Sequence, residues 1–163
     1  MKVLFIQNNG IQESIGIANL AGILKANGHD CDLLLSSHTS DLAKAIVSYN
    51  PQIVAFSALT GVHQATLQLA ALVKKVLPGT VTLMGGPHPT YSTEVIDRPE
   101  IDIICRGEGE YAMLELADRL DADQDITNIK NLWVKTKDGT IHKNGLRPPA
   151  ILDDLPFPDR EIY

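Results

Sequence analysis

Hydrophobic positions in this chain fall into short unbroken aliphatic runs. Longer stretches separate them, in which apolar residues recur every three or four positions. The first pattern marks strands buried on both faces, and the second marks helices with one buried face. The runs are "KVLFIQ" (2–7), "CDLLL" (31–35), "QIVAFSAL" (52–59), "TVTLMGG" (80–86) and "IDIICRG" (101–107). Between them, 14–28 is predicted as a helix on Ile17, Leu20, Ile23 and Leu24, closing at Gly28. Residues 40–50 are predicted as a helix capped by Ser40 and stopped by Pro51, and 61–77 as a longer one ended by Pro78-Gly79. The stretch between the fourth and fifth runs has room only for a short helix around 92–96. Another helix is predicted over 110–120. The expected fold is α/β: a flavodoxin-like (Rossmann-like) five-stranded parallel sheet with helices on both faces.

After Leu120 the period changes. Residues 131–145 read as a β-hairpin turning at Lys137-Asp138-Gly139, with Trp133 packing it onto the sheet. The tail from Leu146 to Tyr163 contains Pro148, Pro149, Pro156 and Pro158, a density that opposes regular structure and suggests an extended strap or linker. The expected organisation is therefore an α/β domain over 1–125, followed by a hairpin and Pro-rich linker over 126–163.

Composition narrows the function. Net charge is −6, with 20 acidic against 14 basic residues and no basic cluster, which argues against nucleic acid or an anionic membrane as partner. Aromatic residues make up only 5% of the chain, so the core must be aliphatic. Cys31 and Cys105 lie inside apolar runs, as expected for buried, reduced thiols of a cytoplasmic protein. The basic-then-apolar opening is too short for a signal peptide, and no stretch approaches a membrane span.

In an open parallel sheet, ligands bind beyond the carboxyl ends of the strands. The residues placed there are Asn8, Asn9 and Gly10 after the first strand, and Ser57, Leu59, Thr60 and Gly61 at the third. Gly85, Gly86, Pro87, His88, Pro89 and Thr90 follow the fourth, and Gly107, Glu108, Gly109 and Glu110 the fifth. Receiver-type phosphotransfer requires acids where this chain has Gln7-Asn8-Asn9 and Ser57. A flavodoxin-type phosphate loop requires hydroxyls where "NNGIQES" offers only Ser14. "GEGEYA" (107–112) matches a dinucleotide fingerprint, but Glu108 and Glu110 would repel a pyrophosphate at the helix N-terminus. Paired glycines, amides and carboxylates suit a large body rimmed with N–H donors. Glu108, between glycines, is the better ligand-facing carboxylate, whereas Glu110 suits the positive end of the next helix.

The order Ser57-x-Leu59 after the third strand and Gly85-Gly86 after the fourth is similar to the cobalamin-binding fold. In that family these residues line a slot for the dimethylbenzimidazole tail. The family's Asp-x-His-x-x-Gly, source of a lower histidine ligand to cobalt, is absent: the first loop reads "QNNGIQ". Together with "GGPHPT", "RGEGE" and "LPFPDREIY", the pattern resembles the N-terminal cobalamin-binding domain of cobalamin-dependent radical S-adenosylmethionine (SAM) enzymes. The resemblance covers essentially the whole chain. It implies cobalamin held base-off, without a histidine lower ligand, by the residues named above, with His88 packing near the corrin face. It also implies a radical SAM catalytic domain, in cis or in trans, as partner. That domain would hold S-adenosylmethionine and a four-iron four-sulfur cluster, most often for methyl transfer. Its cysteine triad is not in this sequence, so no residue here is assigned a catalytic or metal-ligating role. The alternatives are a standalone cobalamin carrier or sensor, and a nucleotide- or flavin-binding α/β module.

Overall fold

The computed structural model describes residues 1–8 and 13–163. Strands β1 (Lys2–Gln7), β2 (Asp30–Leu35), β3 (Ile53–Ser57), β4 (Val81–Gly85) and β5 (Ile103–Cys105) alternate with helices α1 (Ile15–Ala26), α2 (Leu42–Tyr49), α3 (His63–Val76) and α4 (Pro87–Tyr91). Helix α5 (Glu110–Asp121) follows, and then strands β6 (Leu132–Lys135) and β7 (Ile141–Lys143). The sheet order is β2-β1-β3-β4-β5-β6-β7. The first five strands are parallel, and the expected hairpin extends the same sheet antiparallel through Ile103–Val134 and Cys105–Leu132 pairs. Seven strands therefore replace the expected five, because β5 leaves an open edge that the hairpin's backbone groups can pair.

Alternation along each strand divides the core. Val3, Phe5, Ala55, Leu83 and Cys105 face α1 and α5, while Leu4, Ile6, Val54, Phe56, Met84 and Ile104 face α2, α3 and the segment after α4. The chain winds in one direction from β1 to β2 and in the other from β3 onward. This reversal leaves a crevice at the carboxyl ends of β1 and β3.

Local chemistry corrects two expectations. Helix α2 is capped by Asp41, whose Oδ1 accepts the Lys44 N–H at 3.0 Å, and not by Ser40. Pro87-His88-Pro89 forms the first turn of α4. The first helical turn has no intrahelical use for its N–H groups, so proline is tolerated there. The short helix expected around 92–96 is a 3-10 turn over Thr93–Asp97. At the other end of the sheet, Asp102 Oδ2 accepts the Thr82 N–H at 2.8 Å and the Thr82 hydroxyl at 3.1 Å, and it pairs with the Lys74 ammonium.

The proline-rich tail is indeed a strap, with 3-10 turns at Leu152–Asp154 and Arg160–Ile162. It runs back along α1, where Asp159 donates its N–H to Ala18 O at 2.9 Å and its carboxylate ion-pairs with Lys25 at 2.6 Å. Ile162 is buried against the α1–α5 face. The Tyr163 hydroxyl donates to Gln7 Oε1 at 2.8 Å and accepts the Ser14 N–H at 2.7 Å. Gly22 makes this path possible, since a Cβ there would lie 2.6 Å from Phe157 O.

Candidate functional site

At the carboxyl edge of the sheet a cleft of about 180 Å³ descends between α1 and α5. Its inner wall is apolar: Phe5, Ala55 and Leu83 from the sheet, Ile17 and Leu20 from α1, and Met113 from α5. Its polar groups are few: Ser57, Glu108, Glu110 and the backbone of five glycines, 16, 85, 86, 107 and 109. A slot of this shape excludes a broad planar macrocycle but admits a slender, largely apolar arm.

The two glycines ending β4 have different tasks. Gly85 continues the alternation of Leu83 toward the α1–α5 face. A Cβ on it would sit 3.7 Å from Cys105 Cβ and 3.9 Å from Phe56 O, both ordinary contacts. Its missing side chain is therefore space left in the cleft. Gly86 has φ +91° and ψ −173°, and a Cβ there would meet Ala58 O at 2.9 Å and both Ala58 N and Ser57 Oγ at 3.0 Å. Its requirement is internal: the turn into α4 presses on the end of β3, where the His88 N–H reaches Ala58 O at 2.9 Å.

The two glutamates both line the cleft but differ in partners, and Glu110 stands in the first turn of α5 as the sequence suggests. Glu108 Oε2 accepts the Ala150 N–H of the strap at 2.7 Å. Glu110 lines the cleft, and its Oε2 is shielded from solvent with no hydrogen-bond partner among the described residues. Cys105, at the cleft wall, has its thiol pushed up to about 12, chiefly by burial, with the Glu110 charge adding to the effect. Both cysteines are buried and unpaired.

The remaining predicted residues that the structure describes lie on the same edge but do not line the cleft. Asn8 is exposed and tied to β2, its Oδ1 accepting from the Ser36 hydroxyl at 3.1 Å. Asn9 and Gly10 lie outside the described residues. Leu59 and Gly61 are exposed, and Thr60 Oγ1 is 3.2 Å from His88 Nδ1. His88 is buried and stacked on His63, with ring centroids 3.9 Å apart. Burial, then the His63 charge, holds the His88 imidazole below its ordinary range, with Glu94 opposing. Pro87 is exposed and Pro89 buried. Thr90 joins two loops, its hydroxyl donating to Gly86 O at 2.9 Å and accepting the Gly107 N–H at 3.1 Å. Among the described residues no group of three or more His, Cys, Asp or Glu could hold a metal ion, and no helix is long and apolar enough to cross a membrane.

Sequence reasoning missed the helical wall. Ile17, Leu20 and Met113 look like any core residues in a sequence. The signal available was Gly16, a poor helix former in the first turn of α1, which lines the cleft.

This arrangement coincides with a known family. The model of the B12 binding domain matches residues 1–117, and the chain belongs to that family. Among curated proteins it is 32% identical, over 91% of its length, to an uncharacterized methyltransferase, PH0819, of Pyrococcus horikoshii. It is 35% identical, over 95% of its length, to the anaerobic magnesium-protoporphyrin IX monomethyl ester cyclase of Rubrivivax gelatinosus. The chain spans about a third of each, 33% and 31% respectively. Among solved structures, the cobalamin-dependent S-adenosylmethionine radical enzyme OxsB with aqua-cobalamin bound shares the fold, with TM-score 0.83 at 17% identity. That match covers 99% of this chain and 24% of OxsB.

Proposed function

We propose that this chain binds cobalamin at the carboxyl edge of its sheet, with the nucleotide tail inserted in the α1–α5 cleft. It would thereby act as the cofactor domain of a radical SAM enzyme, most often a methyltransferase. The carrying observation is the cleft itself: an apolar slot whose floor is left open at Gly85 and whose mouth carries backbone N–H groups, a hydroxyl and carboxylates. A tail so buried is held off cobalt. His88 supports a lower face without histidine, because its ring is buried, bonded to Thr60 and stacked on His63. Glu110 in the cleft disfavours a polyphosphate and so speaks against a nucleoside di- or triphosphate or a dinucleotide. When bound, cobalamin supplies a reactive cobalt centre that carries the transferred group. The protein's part is to orient the ring and leave its upper face open to a catalytic domain in cis or in trans.

The test is reconstitution with hydroxocobalamin followed by gel filtration. The expected result is a retained corrinoid with a base-off visible spectrum, and an electron paramagnetic resonance signal after one-electron reduction that lacks coupling to a nitrogen ligand. Failure to retain the corrinoid defeats the reading, and a nitrogen-coupled signal defeats its base-off part. Gly85→Leu, which fills the slot without entering the β4–α4 turn, is expected to abolish retention.

A further inference from the structure

Resting on the cobalamin reading, we propose that Glu110 recognises the hydroxyl-bearing sugar of the corrinoid's nucleotide tail and so makes the site selective for complete corrinoids over tailless ones. A carboxylate oxygen with neither solvent nor a partner is among the costliest groups a protein can leave in its interior, and native structures rarely do so without a purpose. Glu110 Oε2 is such an atom, on a residue that lines the cleft. No ion pair accounts for it among the described residues. Arg147, whose charge is felt at the neighbouring Cys105, pairs instead with Glu115 Oε2 at 2.8 Å and bonds Lys130 O at 3.3 Å through one terminal nitrogen, and its Nε, like that of Arg106, is shielded without a hydrogen-bond partner among the described residues. The neighbouring acid is also committed, since Glu108 holds the strap through the Ala150 N–H.

An ionised carboxylate accepts hydrogen bonds and donates none, so its missing partner is a donor. The tail that fits this cleft has three parts of different chemistry. Its aromatic base suits the apolar inner wall. Its phosphate is an anion, which Glu110 repels. Its sugar carries free hydroxyl donors, and these are the tail donors that a corrinoid without its nucleotide lacks. Charge-assisted O–H···O⁻ bonds are the stronger kind, so the contact discriminates.

The experiment measures dissociation constants of this chain for hydroxocobalamin and for dicyanocobinamide, which lacks the nucleotide. It compares the wild type, Glu110→Ala and Glu110→Gln, with melting temperatures taken in parallel. The wild type is expected to favour the complete corrinoid. Glu110→Ala should weaken cobalamin binding about tenfold or more and leave cobinamide binding unchanged. Glu110→Gln, which keeps one acceptor oxygen and the volume, should show a smaller loss of the same selectivity and serves if the alanine variant misfolds. Equal weakening of both ligands, or no weakening of cobalamin, overturns the assignment. A wild type that prefers neither corrinoid overturns it while leaving cobalamin binding intact. A wild type that binds neither refutes the cobalamin reading and this one with it.

Discussion

Alanine at Gly86 and alanine at Gly85 should have opposite consequences, although the residues are adjacent and chemically identical. At Gly86 the backbone has φ +91° and ψ −173°, a region almost reserved for glycine, and holding another residue there costs about 1–3 kcal/mol. The new Cβ would also press on the Ala58 backbone at 2.9 and 3.0 Å, atoms fixed in place by their bonds to Gly85 and His88. Overpacking of that kind adds about 1–3 kcal/mol. The total of roughly 2–6 kcal/mol is a large share of the 5–15 kcal/mol that typically holds a domain together. At Gly85 the same methyl meets Cys105 Cβ at 3.7 Å and Phe56 O at 3.9 Å, so stability should change by less than about 1 kcal/mol. Urea unfolding followed by far-ultraviolet circular dichroism reads both. With a slope of about 2 kcal/mol per molar, Gly86→Ala lowers the midpoint by about 1–3 M and Gly85→Ala shifts it by no more than about 0.5 M. A Gly86→Ala protein as stable as the wild type, or a Gly85→Ala protein destabilised as much as Gly86→Ala, would refute the division of roles.

Acid should loosen the His63–His88 stack. The folded-state pKa of His88 lies below its ordinary 6.5, so the unfolded chain takes up that proton first as pH falls. The stability this represents is complete above 6.5 and is lost as pH drops from 6.5 to the folded value. Urea midpoints at about pH 7.5 and about pH 5.5 should therefore differ more for the wild type than for His88→Phe, and an equal difference would count against the assignment. Asp102→Ala removes the acceptor of the Thr82 N–H and the partner of Lys74, and should cost about 2 kcal/mol in the same assay. Asp102→Asn, which keeps one oxygen, should cost less; a neutral alanine variant would show that water replaces the carboxylate.

Strands and helices were legible because burial on two faces and on one face leave different periods, and β1, α3 and α5 follow those periods closely. Strand order was not legible, since nothing in the "NLWVKTKDGTIHKNG" pattern says whether a hairpin stands alone or pairs with β5. The cap of α2 went to Asp41 and not Ser40 because adjacent candidates compete by geometry alone. Of the residues named by the carboxyl-edge rule, Ser57, Gly85, Gly86, Gly107, Glu108, Gly109 and Glu110 line one cleft. The rule could not separate the glutamates, because their roles depend on Ala150, 42 residues away along the chain. It also could not assign Gly85 and Gly86 their separate tasks, which depend on which neighbour each missing side chain would strike.

Asn131 unites pieces that the sequence presents as separate. Buried and left-handed at φ +74°, it accepts the Arg106 N–H at its carbonyl at 2.9 Å and gives its own N–H to Gly145 O at 2.9 Å. Its amide donates to Glu108 O at 2.6 Å and accepts the Arg147 N–H at 2.7 Å. The family match ends at residue 117, upstream of this rivet. An excised fragment cut at that boundary would keep every residue named for the cofactor, yet it would release the loop that carries three of them, Gly107, Glu108 and Gly109. The minimal unit worth engineering or transplanting therefore includes the hairpin and the strap.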